Sequence, residues 1–137
     1  MVTPQINLLA IFVAAVVGMI ISMIWYAPSV FGKKWMVFLN IQPDQMEAER
    51  DRQGRTFILA FLNTMIIAYV LEFMLVAINA QTYNDAFWIA VLAWAGFIAT
   101  VLFGRVLWEN KPLGLFNINA GYYLFVLIVM AIILQSM

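Results

Sequence analysis

The chain has 137 residues, of which 66% are hydrophobic and 10% are charged, and its formal net charge at pH 7 is zero. So little polar surface cannot cover a water-soluble globule of this size, and the composition therefore indicates a protein that lies in lipid. The balanced charge argues against a nucleic-acid partner, which needs clustered cations, and the lack of Cys and His removes disulfides, thiolate metal sites and the commonest general base.

Four apolar runs are long enough to cross the roughly 30 Å hydrocarbon core of a bilayer as helices. They cover residues 6–26, 57–78, 86–103 and 115–134. Each run is continuous rather than alternating, which favours helices over barrel strands, because a lipid-exposed backbone must satisfy its hydrogen bonds internally. The sequence therefore predicts an all-α bundle of four transmembrane helices that forms a single membrane domain over residues 1–137.

The first span is predicted to begin almost at the N-terminus, because Thr3 and Pro4 combine a hydroxyl N-cap with proline at the first helical position. No basic residue precedes it, so we interpret it as a retained helix rather than a secretory signal. Pro28 disfavours the helical region at Ala27 and is expected to end this helix.

Two spans carry small residues that allow another backbone to approach closely. In the first span these residues recur every four positions: Ala10, Ala14, Gly18 and Ser22. The third span carries a second set: Ala90, Ala93, Ala95, Gly96 and Ala99. We therefore expect the first and third spans to pack against each other, with contact inside one chain favoured over contact between subunits.

The first connection, residues 27–56, is predicted to lie on the membrane surface. Apolar residues recur in it at helical spacing: Phe31, Trp35, Phe38 and Leu39. Lys33 and Lys34 lie between them, as in an interfacial helix with one buried and one wetted face. Between residues 43 and 55, acidic and basic residues alternate at three- or four-residue spacing, which suits a solvated helix. Gly54 is expected to separate that helix from the second span.

Basic residues occur in only two of the three connections: Lys33, Lys34, Arg50, Arg52, Arg55, Arg105 and Lys111. Positive charge near span ends stays in the cytoplasm, so the first and third connections are predicted to lie inside and both termini outside. Aromatic residues at the inner boundary are interpreted as interfacial anchors: Trp25, Tyr26, Trp35 and Trp108.

Glu72 is the only charged residue within a predicted span. Every Lys and Arg lies toward the opposite boundary, and an ionised side chain in hydrocarbon costs on the order of 3 kcal/mol or more. We therefore expect Glu72 to be neutral, with Tyr69 or the Trp94 indole as its hydrogen-bond partner. Two roles stay open: a site that exchanges a proton or binds a cation, and a buried carboxyl that fixes helix register.

A second polar set lies in the inner half of the spans: Ser22, Asn63, Thr64, Thr100, Asn119 and Tyr122. These residues either line a shallow cavity open to the cytoplasm or form interhelical hydrogen bonds, and we favour the bonds. The nine Met residues are dispersed, which indicates gap filling rather than copper binding. The sequence predicts no metal site, cofactor or catalytic residue.

Trp25-Tyr26-Ala27-Pro28 and Phe31-Gly32-Lys33-Lys34-Trp35 follow the first span, and Lys111-Pro112 and Asn119-Ala120-Gly121-Tyr122 lead into the last one. This pattern resembles the domain of unknown function 1761 family, and the resemblance covers essentially the whole chain. It implies a small bacterial protein with four membrane helices, located in the inner membrane, and it assigns no activity, cofactor or catalytic residue.

The sequence favours a non-enzymatic membrane module that packs in the lipid bilayer with copies of itself or with a larger complex. The alternative is a small proton-coupled exporter or channel in which Glu72 titrates. That alternative is similar to small multidrug exporters in size, helix count and single intramembrane acid, although their acid lies in the first helix. The sequence does not favour an enzyme, because it offers no His, no Cys and no paired carboxylates inside the predicted bundle for acid-base or metal chemistry.

Overall fold

The structure, a computed structural model, describes residues 5–42, 45 and 50–137. Within that part the fold is all-α, which confirms the predicted fold class. The helices are α1 (Leu8–Trp25), α2 (Lys33–Phe38), α3 (Arg50–Ala77), α4 (Tyr83–Trp108) and α5 (Leu113–Ser136). Four of them, α1, α3, α4 and α5, are long and apolar enough to cross a membrane, and they follow the order of the predicted spans.

The start of α1 differs from the prediction. Asn7 is the N-cap, and its side-chain oxygen accepts a hydrogen bond from the Ala10 amide at 3.1 Å. An asparagine side chain satisfies one of the free amides of the first turn as well as a hydroxyl does. Thr3 and Pro4, the expected start, lie outside the described residues.

The end of α1 agrees with the prediction. Ala27 is extended, with φ −66° and ψ 145°, which is the conformation that the ring of Pro28 imposes on the residue before it. A π-helical turn over Pro28–Gly32 then leads directly into α2. The chain therefore reverses within a few residues after the first span.

Gly54 does not separate two helices, so that prediction is wrong. α3 runs without a break from Arg50 to Ala77. One glycine costs a helix only about 1 kcal/mol, which a helix of 28 residues tolerates easily. The charge alternation expected between residues 43 and 55 falls largely on residues that the structure does not describe.

The small residues of α1 face α3 and α5 rather than the third span, so the predicted partner is wrong. Ala10 and Ala14 are fully buried, and α1 makes its main helix contacts with α3 and α5. A Cβ on Gly18 would lie 3.1 Å from Thr64 Cγ2 on α3 and 3.3 Å from Met130 Sδ on α5. The packing is within one chain, as expected, and α1 fills the groove between these two helices.

α4 packs on α5 mainly through its first half. Ala86 and Ala90 are fully buried there, and α4 becomes π-helical over Trp94–Ala99 before it returns to α-helix. Gly96 lies in the π-helical segment and is exposed. A Cβ at Gly96 would meet no atom within 4 Å. Its predicted packing contact is therefore not made among the residues that the structure describes.

Candidate functional site

The bundle has two chemically different ends. Lys33 on α2 and Arg105 on α4 lie at one end, which we call the basic end. At the other end, the terminal end, the Asn7 side chain donates a hydrogen bond to the Met137 carbonyl at 3.4 Å. The Asn7 backbone amide donates a hydrogen bond to Glu72 Oε1, also at 3.4 Å. The predicted site residues divide between these two ends.

The two sequence motifs meet at the basic end. The Tyr26 hydroxyl donates to Asn119 Oδ1 at 2.7 Å, and the Trp25 indole donates to the Ile118 carbonyl at 3.0 Å. A Cβ on Gly121 would lie 3.3 Å from the Trp25 ring, so a glycine lets this ring lie against α5. Residues nearly a hundred positions apart therefore form one hydrogen-bonded cluster.

Gly32 makes this cluster possible. A Cβ on Gly32 would lie 2.8 Å from the Ala27 carbonyl carbon and would also overlap the Tyr26 carbonyl oxygen. The absence of a side chain thus allows the π-helical turn to close tightly after Pro28. Because the chain reverses there, Trp35 returns to Tyr26, with ring centroids 5.6 Å apart.

A cavity of about 170 Å³ lies beside this cluster, between α1, α3 and α5, and we call it the central cavity. Its polar lining consists of Ser22, Tyr26, Asn63, Thr64, Tyr122 and Tyr123. Four of these residues belong to the polar set predicted from sequence. The sequence analysis favoured hydrogen bonds between helices over a cavity for this polar set, and one such bond is present. The Tyr122 hydroxyl on α5 donates to the Gly18 carbonyl on α1 at 3.5 Å.

Two larger cavities adjoin the central cavity. The Arg52 cavity, about 370 Å³, shares Met19, Ser22 and Ala60 with it and reaches Arg52 on α3. The Arg105 cavity, about 440 Å³, shares two residues with it and is lined by Tyr26, Trp35, Leu39, Leu102, Arg105, Asn119 and Tyr123. Both volumes fall within the roughly 300–1,000 Å³ that small-molecule sites occupy. Each of these two cavities therefore has an arginine among its lining residues.

The charges at the rim of the Arg105 cavity are only weakly neutralised. Arg105 Nε lies 3.5 Å from Glu109 Oε2, and the two side chains are 39% and 56% exposed. An ion pair so exposed contributes little to stability, because water and salt screen the attraction between its charges. Lys111 and Asn119 line a small pocket together with Arg105. This corner of the structure therefore favours an anion.

The family model for a protein of unknown function, DUF1761, matches residues 9–135, which include both motifs and the walls of all three cavities. The chain belongs to this family. Searches of curated proteins and of solved structures found no match. The DUF1761 match therefore gives the family and no activity.

Glu72 lies at the terminal end of this DUF1761 chain and is only 5% exposed. Its observed hydrogen-bond partner is the backbone amide of Asn7 at the start of α1, where the helix dipole places partial positive charge. The two expected partners are elsewhere. The Trp94 indole donates to the Ala120 carbonyl at 2.8 Å, and Tyr69 is 46% exposed on the outside of the bundle.

Asn7 is the residue at this site that the sequence analysis missed. Its signal was present, since asparagine directly before an apolar run is a good N-cap. That Asn7 also reaches Glu72 and Met137 depends on tertiary packing, which spacing does not reveal. The role of Glu72 in proton exchange stays a prediction.

The predicted interfacial anchors occupy two kinds of position. Trp108 is 87% exposed at the end of α4, and its role as an anchor in the lipid headgroups stays a prediction. Trp25, Tyr26 and Trp35 are instead half-buried in the cluster at the basic end. Within the described residues, no group of three Asp, Glu, His or Cys side chains is placed to hold a metal ion.

Proposed function

We propose that the protein is a non-enzymatic module of a bacterial inner membrane, with its basic end in the cytoplasm, and that it binds a small polar or amphipathic ligand in the central cavity. One observation carries this proposal: the two sequence motifs meet beside this cavity through the bond from Tyr26 to Asn119, and one residue of each motif, Tyr26 and Tyr122, lines it. The motif residues thus support an open polar space rather than a closed core.

The lining favours binding over catalysis. Tyrosine and threonine hydroxyls and the Asn63 amide both donate and accept hydrogen bonds, so they hold a polar ligand without changing their own protonation. General acid-base chemistry needs a group that titrates near neutral pH, and the chain has no His or Cys. The residues that line the central cavity include no carboxylate.

The geometry gives less support to an exporter that works through Glu72. Glu72 bonds to Asn7 at the terminal end, whereas the central cavity opens toward Arg52 and Arg105 at the basic end. A ligand in the cavity therefore does not contact the carboxyl. The bond to the start of α1 supports the alternative role, in which Glu72 fixes the register of α3 against α1.

Site-directed labelling tests whether the cavity is open to water. The chain has no Cys, so single-cysteine variants need no background changes. Ser22→Cys places a thiol of nearly the same size where the central and Arg52 cavities meet. Leu62→Cys is the control, because Leu62 is 52% exposed on the outer face of α3. A membrane-impermeant maleimide applied from the side of Lys33 should label Ser22→Cys and spare Leu62→Cys.

Protection by probes then tests binding. Tetraphenylphosphonium, octyl phosphate and octyl glucoside represent an amphipathic cation, anion and neutral molecule. Each is added to the reconstituted protein before the maleimide, and the control is Ser136→Cys at the exposed terminal end, labelled with the same reagent applied from the opposite side. We expect at least one probe to slow labelling of Ser22→Cys and leave Ser136→Cys unchanged. The proposal fails if Ser22→Cys does not react at all, or if none of the three probes protects it.

A second candidate function, packing with further copies in the bilayer, is favoured by the outer face of α4. Gly96, Thr100 and Gly104 lie at four-residue spacing, and a Cβ on either glycine would meet no atom within 4 Å. An apolar groove of about 230 Å³ lies beside this face, between α3 and α4. Small residues of this kind allow two membrane helices to approach closely.

Disulfide trapping in native membranes tests this second function. Gly96→Cys is expected to give a covalent dimer on mild oxidation. Val101→Cys, on another face of the same helix and 68% exposed, is expected to stay monomeric. Equal yields from the two variants would mean that contact between copies is random rather than directed by the small-residue face.

A further inference from the structure

We propose that the Arg105 cavity binds the phosphate headgroup of an anionic phospholipid from the leaflet at the basic end. This inference rests on the proposed function, since it names the ligand class for one opening of the same cavity system. It is carried by three features: Arg105 on the cavity wall with Lys111 in the adjoining small pocket, the oriented donor on the wall, and the apolar side of the cavity.

The cations are held together by the turn between α4 and α5. Lys111 donates its amide to the Arg105 carbonyl at 3.2 Å, and Asn110 adopts a left-handed conformation with φ 53° that lets the chain turn there. The Arg105 and Lys111 side chains both line the small pocket that Asn119 also lines. The turn therefore keeps two positively charged residues at the wall of this small pocket, which shares Leu102, Arg105 and Asn119 with the Arg105 cavity.

The ion pair with Glu109 leaves Arg105 able to bind phosphate. The ion pair is formed at the Nε atom of Arg105, which lies 3.5 Å from Glu109 Oε2. The two terminal nitrogens of the guanidinium group carry most of the donors that bind a phosphate in a bidentate manner. Arg105, Glu109 and Lys111 together also keep a net positive charge. Glu109 therefore orients the guanidinium group and competes only partly with an anion.

Asn119 supplies a neutral donor on the cavity wall. Its Oδ1 atom accepts the Tyr26 hydroxyl at 2.7 Å, which fixes the amide plane and leaves the NH2 group as the donor side. Asn119 lines both the Arg105 cavity and the small pocket beside Lys111. A phosphate near Arg105 thus lies next to an amide that has been oriented by one of the two sequence motifs.

The remaining walls fit a lipid better than free phosphate. Leu39 and Leu102 give the cavity an apolar side, and the Trp35 ring lies between α2 and the bundle. A soluble phosphate gains nothing from these groups, whereas a glycerol backbone and the first acyl carbons do. Basic pockets between membrane helices at the cytoplasmic boundary bind anionic lipid headgroups in this way.

The test measures lipid retention by the full chain. The protein is reconstituted in vesicles of phosphatidylcholine with and without phosphatidylglycerol, and retained lipids are counted by native mass spectrometry. We expect preferential retention of phosphatidylglycerol, and we expect Arg105→Gln to reduce that preference about tenfold or more, because charge-assisted bonds are lost. Arg55→Gln is the matched control, since Arg55 is exposed on α3 at the same end and does not line this cavity.

Glu109→Gln keeps the test valid if Arg105→Gln folds poorly. This variant removes the competing carboxylate, so retention of phosphatidylglycerol should stay equal or increase. The inference is overturned if Arg105→Gln and Arg55→Gln retain the lipid equally, if Glu109→Gln loses it, or if inorganic phosphate displaces it. If tetraphenylphosphonium alone protects Ser22→Cys and no phosphatidylglycerol is retained, the binding function stands and the lipid assignment is wrong.

Discussion

Replacing Gly32 by alanine tests the turn on which the cavity walls depend. Gly32 has helical dihedral angles, φ −60° and ψ −41°, so backbone preference alone would favour alanine by about 0.5–1 kcal/mol. The added Cβ would, however, lie 2.8 Å from the Ala27 carbonyl carbon and overlap the Tyr26 carbonyl oxygen. These are backbone atoms and cannot rotate away, and overpacking of this kind typically costs about 1–3 kcal/mol.

The overpacking is the larger effect, so we expect Gly32→Ala to lower the free energy of unfolding by roughly 1–2 kcal/mol. Gly54→Ala is the matched control, because a Cβ there, in the second turn of α3, would meet no atom within 4 Å. That variant should be neutral or more stable by up to about 1 kcal/mol. Unfolding in mixed micelles, titrated with sodium dodecyl sulfate and followed by circular dichroism, gives both values. If Gly32→Ala is as stable as Gly54→Ala, the tight turn does not exist in the folded protein.

Four further outcomes are expected. Gly18→Leu should prevent folding or lower the free energy of unfolding by several kcal/mol, since even a Cβ would lie 3.1 Å from α3. Gly96→Leu is the control and should leave the unfolding free energy of the monomer nearly unchanged. Equal losses in the two variants would contradict the packing described. Tyr26→Phe should lower the unfolding free energy by about 1–3 kcal/mol, because a half-buried acceptor loses its partner, and an unchanged value would remove this bond as a support of the cavity. Glu72→Gln should stay within about 1 kcal/mol of the parent if the carboxyl is neutral and structural, since an amide oxygen also accepts from a backbone amide; loss of proton flux in vesicles at unchanged stability would instead support the exporter. Gln81→Cys should react with an impermeant maleimide only from the side opposite Lys33, and labelling from the same side would mean that α3 does not cross the membrane.

The sequence predicted the span order well because each span is determined by its own composition. An apolar run of sufficient length has no other stable conformation in lipid, and Pro28 acts on Ala27 through local sterics alone. Gly54 shows the limit of local reasoning. A helix-weakening residue marks a boundary only if nothing favours continuation, and α3 continues for more than twenty residues beyond it.

Helix pairing was less predictable, because a membrane helix with small residues accepts any close neighbour. The stripes on α1 and α4 look alike in sequence, yet a Cβ on Gly18 would meet α3 and α5, whereas a Cβ on Gly96 would meet no atom of the described residues within 4 Å. Spacing identifies a surface for close approach and leaves the identity of the partner open. The same limit applied to Glu72, whose partner Asn7 lies 65 positions away.

The two ends of the bundle also differ in how firmly they are joined. At the terminal end, Asn7 connects α1 to Met137 and Glu72, and Gln135 donates to the Ala80 carbonyl at 3.1 Å. These bonds tie the first, second and last spans and the turn between α3 and α4. At the basic end the helices instead separate around cavities, and Tyr26 and Trp25 bridge only α1 and α5. The ligand that we propose would therefore enter at the basic end, and any change of shape on binding is expected in α2 and the end of α4 rather than around Glu72.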